Sequence, residues 1–143
     1  MTVFMGLSVL MAPGSAHAAV QHVCSPGDKS FISSTQVDMG ALELWGQEYA
    51  QGDVDGQSVI DQAKGAAARI RDTVPQDPTL LTTRAVLVSM FTEYAKAVKA
   101  KESGRDAGPS IARAYTLANT AHELLVDNRG PLKARGCDPA PLL

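Results

Sequence analysis

Residues 55–78, DGQSVIDQAKGAAARIRDTVPQDP, decide the fold. Apolar residues recur in this stretch at spacings of three and four, which is the period of one face of an α-helix. That face consists of Val59, Ile60, Ala63, Ala66, Ala67, Ile70 and Val74. Pro75 ends the helix, and Asp77 followed by Pro78 supplies an N-cap acceptor and a proline at the first position of the next one. The stretch therefore predicts two helices joined by a short turn.

Helical spacing continues on both sides of this stretch, and no segment alternates with the period of a β-strand. We expect four helices, at about residues 34–51, 56–74, 78–102 and 109–127. Because the connections are short, successive helices should be antiparallel. The sequence predicts an all-α, up-down-up-down four-helix bundle over residues 34–128, preceded by a tether at 19–33 and followed by a tail at 129–143.

The first 18 residues have the pattern of a signal peptide. Residues 3–12 are almost continuously apolar, and Ala16-His17-Ala18 matches a small-x-small cleavage site. No Lys or Arg precedes Lys29, which we attribute to a gene model that begins too late; a buried N-terminal strand or helix is the alternative. The apolar run is too short for a stable membrane span. We expect a secreted protein or one in the cell envelope.

The two cysteines, Cys24 and Cys137, flank the predicted bundle. An exported chain favours their pairing, whereas two free thiols would be typical of a cytosolic one. In an up-down-up-down bundle both flanks emerge at the same end. The sequence therefore predicts one disulfide that joins the two ends of the domain.

Composition argues against a nucleic-acid partner. The net charge is -2, and aromatic residues make up only 5% of the chain. A nucleic-acid surface needs a basic stripe or aromatic stacking platforms. The content of 45% hydrophobic residues instead predicts a globular domain with a buried hydrophobic core.

His122 is the first candidate for chemistry, because it follows Ile111, Tyr115 and Ala118 on or beside the apolar row of the fourth helix. With Tyr115, and with Met90 and Tyr94 of the third helix, it could ligate haem iron inside a bundle. A histidine hydrogen-bonded at the core edge explains the same pattern, and no Cys-x-x-Cys-His sequence occurs. We predict no cofactor and keep haem as an alternative.

Metal sites have little support in the sequence. After cleavage the chain would retain only His22 and His122, too few histidines for a zinc site. Asp53, Asp55 and Gly56 resemble part of a calcium loop, but glutamine occupies its first and twelfth positions. A turn with Asp55 as the N-cap of the second helix explains these residues, and we predict no metal.

Arg84 lies on the apolar row of the third helix, where it could turn inward and meet Glu48 of the first helix. Such a pair, alone or with His122, would suit a small secreted enzyme that acts on an anionic molecule. The alternative is an arginine that extends to the rim and pairs at the surface. No known catalytic spacing occurs in the chain, and we assign no catalytic residue.

The leading hypothesis is a non-enzymatic binding or interaction protein with an apolar groove between the first, third and fourth helices. Five aromatic residues could converge there, and Arg84 and His122 complete the candidate ligand-binding set. The aromatic residues are Trp45, Tyr49, Phe91, Tyr94 and Tyr115. The partner would be an apolar small molecule or another protein. A haem carrier and a small enzyme remain the alternatives.

Overall fold

A computed structural model describes residues 23–143. This part of the chain is helical and contains no strand, which confirms the all-α prediction. Its elements are α1 (Pro26–Gln51), α2 (Gly56–Asp72), α3 (Pro78–Glu102), α4 (Gly108–Asp127), α5 (Arg129–Ala134) and a closing 3-10 turn (Ala140–Leu142). None of the helices described is long and apolar enough to cross a membrane. The predicted signal peptide, residues 1–18, lies outside the described residues.

α1 begins at Pro26, so the predicted tether up to residue 33 is wrong. The reason is a capping box, in which the Ser25 side chain accepts from the Asp28 N–H and the Asp28 carboxylate accepts from the Ser25 N–H. Pro26 occupies the first helical position, where its missing N–H costs nothing. Ser-Pro-Gly-Asp resembles a loop in composition, but here it starts a helix.

The other helices follow the predictions closely, with Asp55 and Asp77 as the N-caps of α2 and α3. α2 ends at Asp72, two residues early, because the backbone turns to extended geometry at Thr73 ahead of Pro75. The predicted tail contains α5 and the closing turn, so it is not irregular throughout. The chain restarts a helix at Arg129, immediately after the end of α4.

The core depends on close packing of α2 against α3. Ala63, Ala66 and Ala67 of α2 are buried, and such small side chains let the α3 backbone approach closely. One core cluster, around Phe31, Ile70, Leu80, Phe91 and Leu125, surrounds the disulfide end of the bundle. A second, smaller cluster of Val59, Ile60, Ala63, Ala95 and Val98 lies at the other end.

The bundle is open along one side. α1 packs on α2, and α4 packs on α3, but α1 and α4 do not form a packed pair among the described elements. The closing turn Ala140–Leu142 contacts α1, and Leu142 is buried in the larger core cluster. The C-terminal leucines therefore lie between α1 and α4, beside Met39 of α1 and Ala118 of α4.

The predicted disulfide joins Cys24 to Cys137, with the two Cα atoms 5.3 Å apart. The Cys24 N–H also donates to the Arg135 carbonyl at 2.8 Å. Arg135 in turn donates to the buried Asp77 carboxylate, at 2.8 Å from Nε and 2.7 Å from Nη2. Both flanks of the bundle are thus attached to the start of α3, as the antiparallel topology predicts.

Asp28 connects the start of α1 to the turn before α3. Its fully buried carboxylate accepts from the backbone N–H groups of Ser25, Gln76 and Asp77 at 2.7 to 2.8 Å. Burial by itself raises the pKa of Asp28, but the hydrogen bonds from Asp77, Ser25 and Gln76 outweigh it and lower the pKa to about 2. The charged form is therefore favoured in the folded state.

We expect Asp28→Asn to lower the free energy of unfolding at pH 7 by about 2 to 4 kcal/mol, because an amide places donors against backbone donors. The pKa of Asp28 is lower when folded than its ordinary 3.8, so its ionisation stabilises the protein above pH 3.8. That contribution, about 2 kcal/mol, should disappear as the pH falls toward 2. Urea unfolding of both proteins between pH 7 and pH 2 measures it.

The matched control is Asp53→Asn, since Asp53 is exposed in the turn after α1. It should change stability by less than about 0.5 kcal/mol at every pH. A wild-type advantage over Asp28→Asn that stayed constant down to pH 2 would contradict the assigned role of the Asp28 carboxylate.

The double variant Cys24→Ser, Cys137→Ser should lose about 2 to 5 kcal/mol of unfolding free energy at pH 7, because the disulfide restricts the unfolded chain across 113 residues of separation. Reduction of the wild-type protein should produce the same loss. Circular dichroism during urea titration measures both. Equal midpoints for oxidised and reduced protein would show that the bond adds no stability.

Candidate ligand-binding groove

An apolar groove of about 420 Å³ runs along α3, between α3 and α4. We call it the α3–α4 groove. It is lined by Tyr49, Met90, Tyr94, Ala97, Val98, Lys101, Ala107, Ile111, Ala114, Tyr115 and Ala118. Its concave floor is possible because alanines lie where the two helices meet, and the larger side chains form its sides. The groove exists because α1 does not cover this face of α4.

Three of the five aromatic residues that the sequence analysis placed at a groove line the α3–α4 groove, and all three are tyrosines. Tyr49 of α1, Tyr94 of α3 and Tyr115 of α4 all line the α3–α4 groove. Tyr115 is 70% exposed, so its ring lies at the groove edge and not in the core. Burial, and to a lesser degree the charge that Tyr115 would carry, raise the pKa of Tyr94, which stays a neutral phenol at ordinary pH.

One end of the groove carries a positive charge. The Lys101 ammonium lies 4.7 Å from the centre of the Tyr49 ring, in cation–π geometry. The hydroxyl of the same ring donates to Glu102 Oε1 at 2.5 Å. This hydrogen bond, together with burial and the Glu102 charge, raises the pKa of Tyr49 to about 12. Lys101 is the one charged residue among those that line the groove.

A second depression, the α1 trough, lies on the other side of Met90 and Tyr94, which line both spaces. It has a volume of about 720 Å³ and runs along α1 beside Gly40, Glu43 and Gly46. Pro141, Leu142 and Leu143 border it as well. Gly46 leaves room for the Tyr94 hydroxyl, because a Cβ there would approach that oxygen to 2.9 Å.

Two predicted aromatics, Trp45 and Phe91, do not line the α3–α4 groove. Trp45 is half-buried against the smaller core cluster, because its side of α1 faces α2. Phe91 is fully buried in the larger cluster and only borders the α1 trough. Helical periodicity placed both on apolar faces, but it does not distinguish a residue that faces a packed neighbour from one that faces a groove.

His122 is exposed, and the suggestion that it faces the core is wrong. The α4 row that contains it faces the open side of the bundle, so only its last member, Leu125, is buried in the core. His122 and Met90 both line a small hollow of about 140 Å³, which Tyr94 and Tyr115 do not line. Of the four proposed haem ligands, the structure therefore brings two to one hollow and leaves the two tyrosines outside it.

Arg84 and Glu48 do not form the inward pair considered for an enzyme. α1 and α3 run parallel, so Glu48, near the end of α1, and Arg84, near the start of α3, lie at opposite ends of the bundle. Arg84 instead donates to the Thr73 carbonyl at 2.5 Å. It stabilises the turn between α2 and α3 and does not line the α3–α4 groove.

Among the residues described, one group of side chains has the spacing of metal ligands, namely Cys24, Asp28 and Cys137. Its two sulfur atoms are bonded to each other in the disulfide. The segment that resembles a calcium loop is the turn between α1 and α2, where the Asp55 carboxylate accepts from the Ser58 N–H at 2.8 Å. This confirms Asp55 as an N-cap.

Lys101 lines the α3–α4 groove, although the sequence analysis did not name it as a site residue. The sequence places it in the last turn of the third helix, where a cation is expected to balance the helix dipole. Its position beside Tyr49 depends on how α1 lies against α3. The signal that could have indicated it is a pair of small residues, Ala107 just before α4 and Ala114 within it, which line the same groove.

No protein-family model, curated protein or solved structure matches the chain. The chemistry of the groove itself is therefore the basis for a functional assignment.

Proposed function

We propose that this protein is an exported, non-enzymatic binding protein that holds an apolar small molecule in the α3–α4 groove. The observation that carries the proposal is the lining of that groove, about 420 Å³ of concave space bounded almost entirely by apolar and aromatic side chains. Small-molecule pockets have this character and typically measure about 300 to 1,000 Å³. Ile111 and Tyr115 add exposed apolar surface at its edge.

The concave shape favours a small molecule over a flat protein surface. Ala97 and Ala114 form part of the floor, and both are buried, so the hollow lies below the level of the surrounding side chains. Covering roughly 250 Å² of apolar surface at about 25 cal/mol per Å² would supply about 6 kcal/mol, from which the cost of immobilising the ligand is subtracted. About 6 kcal/mol alone corresponds to a Kd of about 40 μM, so after this cost we expect a Kd of about 0.1 to 1 mM.

Export is supported by two features that agree with each other. The disulfide between Cys24 and Cys137 is a bond that persists in oxidising compartments. The sequence of residues 1–18 has the apolar run and the cleavage pattern of a signal peptide.

The test of the groove uses N-phenylnaphthylamine, a neutral probe whose fluorescence rises in apolar sites. We expect the wild-type protein to bind it with a Kd of about 0.1 to 1 mM, and Ala118→Trp to weaken binding at least about tenfold, because the indole would fill the groove. Fluorescence titration measures the Kd. Circular dichroism and thermal unfolding check that the variant keeps its helices.

Ala112→Trp is the matched control, since Ala112 is exposed on α4 and does not line the groove. It should bind the probe as the wild-type protein does. Absence of binding, or equal loss in the two variants, would reject the groove as a ligand site.

The protein produced from its natural gene should be recovered outside the cytoplasm with Ala19 as its first residue and with its disulfide formed. Ala18→Phe should prevent cleavage, because the bulky ring breaks the small-x-small pattern. Intact mass measured before and after thiol alkylation reports both properties. An uncleaved cytoplasmic chain with two free thiols would contradict export.

A further inference from the structure

We infer that the ligand of the α3–α4 groove is a single-tailed amphiphile with an anionic head group, and that Lys101 binds the head. The inference rests on the proposed function, since it assumes that the groove holds a ligand. It adds the chemical class of that ligand and the direction in which it lies.

The body of the groove suits a narrow apolar tail. From Met90 to Lys101 it follows twelve residues of α3, and the helical rise between the first and the last is about 16 Å. Along this length the lining is aliphatic or aromatic, and the pKa of Tyr94 is raised by burial, so that its phenol is uncharged. A dodecyl chain matches this length and would meet no charged group before it reached Lys101.

The positive charge of Lys101 at the end of the groove favours a ligand whose head group is anionic. Lys101 is exposed, and none of the ion pairs between described residues involves it. Its described contact is with the Tyr49 ring. The neighbouring carboxylate, Glu102, accepts from the Tyr49 hydroxyl, and its side chain lies against Gly56 at the start of α2. A carboxylate, sulfate or phosphate on the ligand would thus supply the counter-charge that Lys101 lacks.

The other end of the groove disfavours the opposite orientation. A head group placed there would lie beside Met90 and Ala118, and none of the residues lining that end carries a positive charge. The surroundings of Lys101 also disfavour an anionic membrane as the partner, because exposed Glu102 and Asp106 alternate with exposed Lys99 and Arg105, giving mixed charge where a membrane would need a basic cluster. A single lysine at the end of an apolar groove can bind the head group of one amphiphile molecule.

The experiment compares three probes with the same tail, namely dodecanoate, dodecanol and dodecyltrimethylammonium, each titrated calorimetrically below its aggregation limit. We expect dodecanoate to bind wild-type protein about fivefold more tightly than dodecanol, and dodecyltrimethylammonium to bind most weakly. Lys101→Met should remove the preference for dodecanoate over dodecanol, so that the two probes bind the variant with equal affinity. Lys99→Met, an exposed lysine on α3 that does not line the groove, should keep the preference.

The outcomes separate this inference from the proposed function. If no probe binds, the groove is not a ligand site and both proposals are overturned. If dodecanol and dodecanoate bind equally, or if the preference survives in Lys101→Met, the assignment of an anionic head to Lys101 is overturned and the apolar-ligand function stands. Binding to phosphatidylglycerol vesicles without binding of monomeric dodecanoate would overturn the inference in favour of a membrane partner.

Discussion

The buried carboxylate of Asp28 organises the disulfide end of this protein. A charged group without water must be matched by donors, and here three backbone N–H groups converge on it, from Ser25, Gln76 and Asp77. Two of them belong to the turn before α3, so the start of α1 is fixed against the start of α3. Asp77 continues the connection, because its own buried carboxylate caps α3 and accepts from Arg135.

Because these contacts fix the helices at the disulfide end of the bundle, the space that stays open lies toward the opposite end. Cys24 and Cys137 lie beside Asp28, and Leu142 packs farther along the helices, between Met39 of α1 and Ala121 of α4. At the opposite end, where α1 and α3 finish and α4 starts, no segment fills the gap among the described residues. The α3–α4 groove opens at that end, and the rigid network around Asp28 supports the helices that form it.

The groove therefore joins two kinds of surface. Its sides are apolar because α4 carries an apolar row that none of the helices within residues 23–143 covers, with Ile111 45% and Tyr115 70% exposed. Its end is polar because two helices finish there, bringing Tyr49 next to Lys101. Exposing a contiguous apolar surface is unfavourable in water, which supports our proposal that the groove binds an apolar ligand.

The sequence by itself determined the helical class, most helix limits and the pairing of Cys24 with Cys137, because helical period, caps and prolines act locally and the short turns leave few topologies. It misjudged the start of α1, where Ser25 and Asp28 form a capping box in a loop-like segment. Only the tertiary structure decided which apolar faces are covered. Helical periodicity shows that Phe91 and Tyr115 lie on apolar rows. Whether a neighbouring helix covers such a row depends on the packing of all the helices together, which a local pattern does not contain.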